Sequence, residues 1–245
     1  HGAGGGGAMM SMDALLKSGF KIANYCDTSG NPSASKVYRA AKIILSQKNI
    51  DGYFASGSGV ASQEQFNSAR GLVKAFREKR LSIPALIRIG GNSEEVAIRI
   101  LHDYTKDIPG KVEAYGRDTS AVFCAMRLRE LVDQWDYERE DENDAKKRND
   151  VSFSYAFETP TGRLCIQYDR CRRCKSKPCV EACKAEILKL DSTGCPVLAI
   201  DVEAAKKGKC TECLACELEC EFHGNQGIIV DLPIHGLEDG VGKGA

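Results

Sequence analysis

The chain has 245 residues, enough for one or two domains with a sizeable core, and its 42% hydrophobic and 28% charged content excludes a disordered or fibrous protein. Lys plus Arg and Asp plus Glu stand at 34 each, so the net charge is zero, which argues against a nucleic-acid binder or a polybasic membrane-surface protein. No apolar run approaches the roughly 18 residues that span a bilayer, and the opening HGAGGGGAMMSM has no basic and apolar signal regions, so neither insertion nor export is expected.

In chain order, residues 1–134 alternate strand and helix patterns as a parallel α/β domain does. Strands are predicted at Ile22–Cys26, Gly52–Ser56, Ala85–Ile89 and Val112–Tyr115. Between them, Val37, Ala40, Ala41, Ile44 and Leu45 share one helical face, and Phe66, Ala69, Leu72, Val73 and Phe76 share another. Ser62 with Gln65, and Asn92 with Glu95, have capping-box spacing and are expected to start helices. Glycines recur where strands give way to helices, and exposed amides there favour an anion; Gly30, Gly57, Gly59, Gly90 and Gly91 are the candidates. Gln134–Asp150 is nearly devoid of aliphatic residues and reads as a charged seam, with a linker placed over residues 135–158.

Of twelve cysteines, ten lie beyond residue 160; Cys26 and Cys124 precede them. Without an export signal, thiols this closely spaced point to metal or cluster ligation rather than disulfides. Cys171, Cys174, Cys179 and Cys183 form C-x2-C-x4-C-x3-C, and Cys210, Cys213, Cys216 and Cys220 form C-x2-C-x2-C-x3-C. Four-cysteine zinc sites are the alternative, but they draw their pairs from more widely separated stretches. Cys165 and Cys195 fall outside both runs and are expected to be small buried or turn residues, as are Cys26 and Cys124.

With LCIQYD before the first run, ILKLDSTGCPVLAID between the runs and GIIVDL after the second, residues 163–232 resemble the bacterial two-cluster ferredoxins. The resemblance implies a small α+β domain over residues 159–245 holding two [4Fe-4S] clusters. One would sit on Cys171, Cys174, Cys179 and Cys220, the other on Cys210, Cys213, Cys216 and Cys183. The proline that usually follows the fourth cysteine is replaced by Lys184 and Glu221, and the x4 spacing with Pro178 resembles iron-sulfur subunits of multi-subunit oxidoreductases. Each oxidised cluster would bring about two negative charges, which makes the back half acidic and favours a partner with a basic rim.

The GAG turn followed by MDALLKSG, the AAKIILS helix and PALIRIGGNSEE, taken together, resemble the C-terminal flavodoxin-like domain of the succinyl-CoA synthetase β-subunit and related acyl-CoA synthetases. That implies an α/β flavodoxin-like parallel-sheet domain over residues 1–134, anion binding near Ser56–Ser62, and association with a companion α-type chain that carries the phosphorylated histidine. The family's ATP-grasp domain, and the strand leading into GAG, are not expected within this chain. None of His1, His102, His223 and His235 matches the phosphohistidine motif. No catalytic residue is identified. The resulting expectation is an iron-sulfur electron-transfer subunit of an anaerobic, cytoplasmic oxidoreductase assembly, a hetero-oligomer in which the synthetase-like domain docks a redox subunit or binds a CoA ester. The alternative is a β-like subunit of a nucleotide-dependent acyl-CoA synthetase carrying a ferredoxin module.

Overall fold

The computed structural model describes residues 1–57, 61–135 and 153–237, with the side chains of residues 61–63 left aside. They form two compact units, His1–Lys146 and Lys147–Ala245. Among the described residues no helix is long and apolar enough to cross a membrane.

The first unit runs β1 (Gly2–Ala3), α1 (Gly5–Lys17), α2 (Ala34–Ile44), β2 (Tyr53–Gly57), β3 (Ala61–Glu64), α3 (Phe66–Lys79), β4 (Ala85–Arg88), β5 (Gly91–Asn92), α4 (Glu94–Tyr104), β6 (Val112–Tyr115) and α5 (Ala121–Gln134). Four strands make one parallel sheet in the order β1-β2-β4-β6, and β3 pairs separately with β5. Period-two alternation splits the sheet residues between two helical layers. On one face Leu86 packs with Ala14 and Leu15 of α1 and with Cys124, Ala125 and Leu128 of α5, and Phe54 packs against that cluster. On the other face the Tyr53 ring meets Phe76 of α3 edge-on, with centroids 5.1 Å apart. Gly71 lets α3 approach α2 closely, since a Cβ there would overlap Ala34 O and crowd Val37 Cβ at 2.9 Å.

Several expectations need correction. Ile22–Cys26 keeps its alternating exposure but forms no strand, because β1 offers only two residues as a partner: the pairing consists of one bridge, Gly2 to Asp27. The leading strand is not absent, however, since Gly2–Ala3 pair with Ser56 and Gly57 of β2. Neither capping box forms. Ser62 lies inside β3 and α3 starts after Gln65, which makes no side-chain cap; Asn92 ends β5, and Ser93 rather than Asn92 precedes α4. Ser33 and Ser120 are the serines that cap, accepting from the Lys36 and Phe123 amides.

The second unit contains β7 (Tyr155–Glu158), β8 (Arg163–Ile166), α6 (Tyr168–Arg173), α7 (Pro178–Glu181), β9 (Leu188–Leu190), β10 (Pro196–Leu198), α8 (Val202–Ala204), which runs into a π-helical turn over Ala205–Lys209, α9 (Ala215–His223) and β11 (Ile228–Asp231). β8 is the centre of an antiparallel sheet flanked by β7 and β11, and β9–β10 form a hairpin. The Asp191 carboxylate fixes the hairpin turn by accepting the Thr193 and Cys195 amides at 2.8 and 2.9 Å. Tyr155–Glu158, expected at the end of the charged linker, is instead a strand of this sheet, because Phe157 is buried opposite Leu164. Most of the charged seam, residues 136–152, lies outside the described residues.

Candidate functional site

Adjacent parallel strands of the first unit end at Gly57 and just before Gly90, bringing two predicted glycine turns to one end of the sheet. Gly59 lies outside the described residues. Gly30 follows the Gly2–Asp27 bridge with open space around it, and Asp27 accepts the Gly4 and Ser29 amides at 3.1 and 2.8 Å. The Gly91 turn already holds a carboxylate of the chain itself. Glu94 accepts the Gly91 amide at 3.1 Å and Arg117 Nε at 2.9 Å, while Arg117 Nη2 donates to Gly91 O at 2.7 Å. Partial burial raises the Glu94 pKa, but the Gly91 amide and the Arg117 guanidinium outweigh it and hold the carboxyl below its ordinary value. The amide of Gly91, expected to serve an external anion, is therefore taken.

Sequence reasoning missed Arg88. At the end of β4 its Nε, Nη1 and Nη2 donate to Thr119 O at 2.6 Å, Gly57 O at 3.1 Å and Arg117 O at 2.9 Å. One guanidinium thus ties the turn after β2 to the turn after β6. The only signal in the sequence was a cation closing an otherwise apolar strand pattern, ALIR. A mixed cavity of about 430 Å³ lies elsewhere, between α1, residues 20–25, β2 and α5, and none of the predicted glycines lines it.

In the second unit, short helices place the thiols: Cys171 on α6 and Cys174 at its end, Cys179 on α7 with Cys183 just beyond, Cys210 after the π turn, Cys213 in the following loop, and Cys216 and Cys220 on α9. All are free. Their mutual electrostatics link neighbouring thiols, mostly within two groups, with Cys216 also acting on Cys179. Burial, with the Cys220, Cys195 and Cys174 thiols nearby, pushes Cys171 up to about 12. Cys179 shares a hydrogen bond with Cys220 that raises its own pKa and lowers its partner's, and the Gly227, Ile228 and Gln226 amides also favour the Cys220 thiolate. In the other set, burial pushes Cys210 up to about 11, with Cys213 and Cys183 adding to it, and burial with Cys213, Cys210 and Cys183 raises Cys216. Cys171 thus lies near Cys174, Cys195 and Cys220, Cys179 near Cys171, Cys220 and also Cys216, and Cys210 and Cys216 each near Cys183 and Cys213. Among the described residues, no group of three or more Cys, His, Asp or Glu side chains converges so as to hold a single metal ion.

Two local features shape these loops. The Gly227 amide donates to Cys220 Sγ at 3.2 Å, and a Cβ on Gly227 would lie 2.8 Å from Cys171 Sγ, so only glycine fits between the two thiols. Glu212, buried between Cys210 and Cys213 in left-handed backbone, accepts Thr159 Oγ1 at 2.8 Å, the Thr161 amide at 2.7 Å and Thr161 Oγ1 at 2.5 Å. Outside the sets, Cys124, Cys165 and Cys195 are buried and Cys26 is half-buried. His102 is exposed beside Asp103, and His223 pairs with Glu219 on α9.

A family model described as "ATP citrate lyase citrate-binding" matches residues 2–129, within the first unit. The β subunit of the ADP-forming succinate–CoA ligase of Rubrobacter xylanophilus is 31% identical over 132 residues, 54% of this chain and 32% of that one. The β subunit of the GDP-forming succinate–CoA ligase of Thermus thermophilus is 32% identical over 100 residues, 41% of this chain and 26% of that one. Among solved structures, ATP citrate lyase from Methanothrix soehngenii in complex with citrate and coenzyme A superposes with a TM-score of 0.49 at 22% identity, over 53% of this chain and 35% of that chain. The chain spans between about a quarter and a third of the length of the curated relatives it matches.

Proposed function

The chain belongs to the family described as ATP citrate lyase citrate-binding, and from that premise we propose that its first unit is the β-like, carboxylic-acid-handling part of a nucleotide-dependent CoA ligase or lyase assembly. The observation that carries this reading is the match over residues 2–129 onto a parallel sheet whose strands end in glycine turns. Such a sheet end presents backbone amides to a carboxylate or phosphate. With the Gly91 amide occupied by Glu94, the Gly57 and Gly90 turns are the proposed place for a di- or tricarboxylate. The proposed partners are an ATP-grasp chain and an α-type chain with a phosphohistidine, which makes the working form a hetero-oligomer. Calorimetric titration of the full chain with its copurifying partners tests the acid: saturable heat with citrate or succinate is expected, and no heat with either contradicts the reading.

The two sets of thiols favour a second role for the other unit. We propose that Cys171, Cys174, Cys179 and Cys220 hold one [4Fe-4S] cluster and Cys183, Cys210, Cys213 and Cys216 the other, with electron transfer to or from a redox partner. The residues fit such a group. Eight free thiols stand on short helices and loops of one unit, and the amides about Cys220 favour the thiolate form that ligation needs. When bound, clusters of this kind supply reversible one-electron transfer. The chain's own part is to hold eight thiolates, to exclude bulk from the Gly227 gap and, through Glu212, to fix the loop carrying Cys210 and Cys213. Iron and acid-labile sulfide analysis of anaerobically purified protein tests this: about eight of each per chain are expected, and zinc without sulfide overturns it.

A further inference from the structure

Whole-chain neutrality hides a local concentration of charge. Between Asp169 and Pro178 stand five bases, Arg170, Arg172, Arg173, Lys175 and Lys177, and a single acid, Asp169. They flank Cys171 and Cys174 in sequence. Arg172 reaches Asp169 at 3.3 Å, which matches one of the five charges and leaves four. Arg170 donates to Gln226 O at 3.1 Å, Arg173 to Asp169 O at 3.2 Å and Lys177 to Cys171 O. These acceptors are carbonyls, which orient the cations without cancelling them. Arg170 and Arg173 also line a shallow, open cup with Gly224, Asn225 and Gln226. Around the other set of thiols the balance differs: Lys206 and Lys207, just before Cys210, pair with Glu158 at 2.6 Å and Glu203 at 3.8 Å.

We propose that the rim over Cys171 and Cys174 is the docking surface for a small acidic electron-carrier protein. The proposal rests on the cluster reading above and names the partner of that same site. It reverses the expectation drawn from the charge total, which favoured a basic partner: even with Asp191 close enough to Arg172 to offset one charge, the rim's excess of about three positive charges outweighs the roughly two negative charges of an oxidised four-thiolate cluster beneath it. Complementary charge of this kind raises the association rate and orients the encounter, and its effect is screened by salt.

The test uses the full chain, purified anaerobically with its clusters, and an acidic flavodoxin as probe. Binding is measured for the wild type, for Arg172→Glu/Lys175→Glu, whose side chains hold no backbone carbonyl, and for Lys206→Glu/Lys207→Glu. Iron and sulfide content are followed for each. The expected result is at least about a tenfold loss of affinity in the rim variant and a marked weakening of the wild type between about 50 and 300 mM salt, with full cluster content and little change in the Lys206/Lys207 variant. Full clusters with unaltered binding in the rim variant, or equal losses in both variants, overturn the docking surface alone. Wild-type protein without iron and sulfide overturns the cluster reading, and the docking proposal with it.

Discussion

Gly227 separates two thiols, and its role is steric: its amide would survive substitution by alanine, but the new Cβ would lie 2.8 Å from Cys171 Sγ. Gly227→Ala is therefore expected to lower bound iron and sulfide toward half the wild-type value while leaving the far-ultraviolet circular dichroism unchanged; undiminished content would contradict the assigned ligand set. Glu78 gives a different kind of prediction. It is hydrogen-bonded by Tyr38 at 2.6 Å and ion-paired with the buried Lys74 at 2.8 Å and with Lys42 at 3.2 Å. Burial alone would raise its pKa, but the two ammoniums and the hydrogen bonds prevail and lower it from 4.5 to about 2. A carboxyl depressed in the folded state stabilises the fold above its unfolded pKa, and that stabilisation is lost as pH falls through the folded value. Stability of the first unit should thus decline between about pH 4.5 and 2, by a few kcal/mol from this group. Glu78→Gln should flatten the decline in urea unfolding and lower stability at neutral pH, because Lys74 loses its closest carboxylate. At this scale the two cysteine runs were legible because each is written within a short stretch. Glu94, Arg88 and Glu212 were not, because what defines their roles arrives from other turns: Arg117, Gly57 and Thr119, and Thr159 and Thr161.

Elements were legible where their own pattern decides them. Val112–Tyr115 occupies its predicted span, and β2 and β4 differ from theirs by a residue or two, since apolar runs between turn signals specify buried parallel strands. The strand expected at Ile22–Cys26 was lost because a strand exists by pairing, and β1 is too short to pair with it. Both capping boxes failed for a related reason: residues 61–64 and 91–92 pair with each other as β3 and β5, so helix starts were set by a tertiary contact that local spacing does not contain. Gln65 N donates to Asn92 O at 2.9 Å, and Ser93 Oγ donates to Glu64, which fixes both starts. Arg88 acts at the same scale, joining turns that follow β2 and β6. Arg88→Met, which keeps the length of the stem but removes three donors, is expected to cost the first unit at least about 2 kcal/mol in urea unfolding. If the turns carry the acid site, the same variant weakens citrate or succinate binding more than that loss of stability explains. Wild-type stability in Arg88→Met would show that the three carbonyls are equally well served by water.

For the whole molecule, the division into an α/β half and a cysteine-rich half followed from composition and periodicity, and two compact units are found. The boundary was less legible: the charged segment suggested a linker through residue 158, yet β7 begins at Tyr155, because its pairing with β8 depends on residues further along the chain. Many of the second unit's buried residues are its cysteines, so its stability is expected to depend on what its thiols hold. Anaerobic removal of iron by a chelator and reductant should abolish the calorimetric transition of the second unit and leave that of the first near its original temperature; two unshifted transitions would argue against structural clusters. The family match concerns only the first unit, and the proposal built on it sets the chain among CoA-ligase or lyase subunits. The most direct test of that claim is to purify the native protein anaerobically and identify the copurifying chains by mass spectrometry. An ATP-grasp chain together with a phosphohistidine-bearing α-type chain is the predicted result. A redox catalytic subunit with neither of them would contradict it.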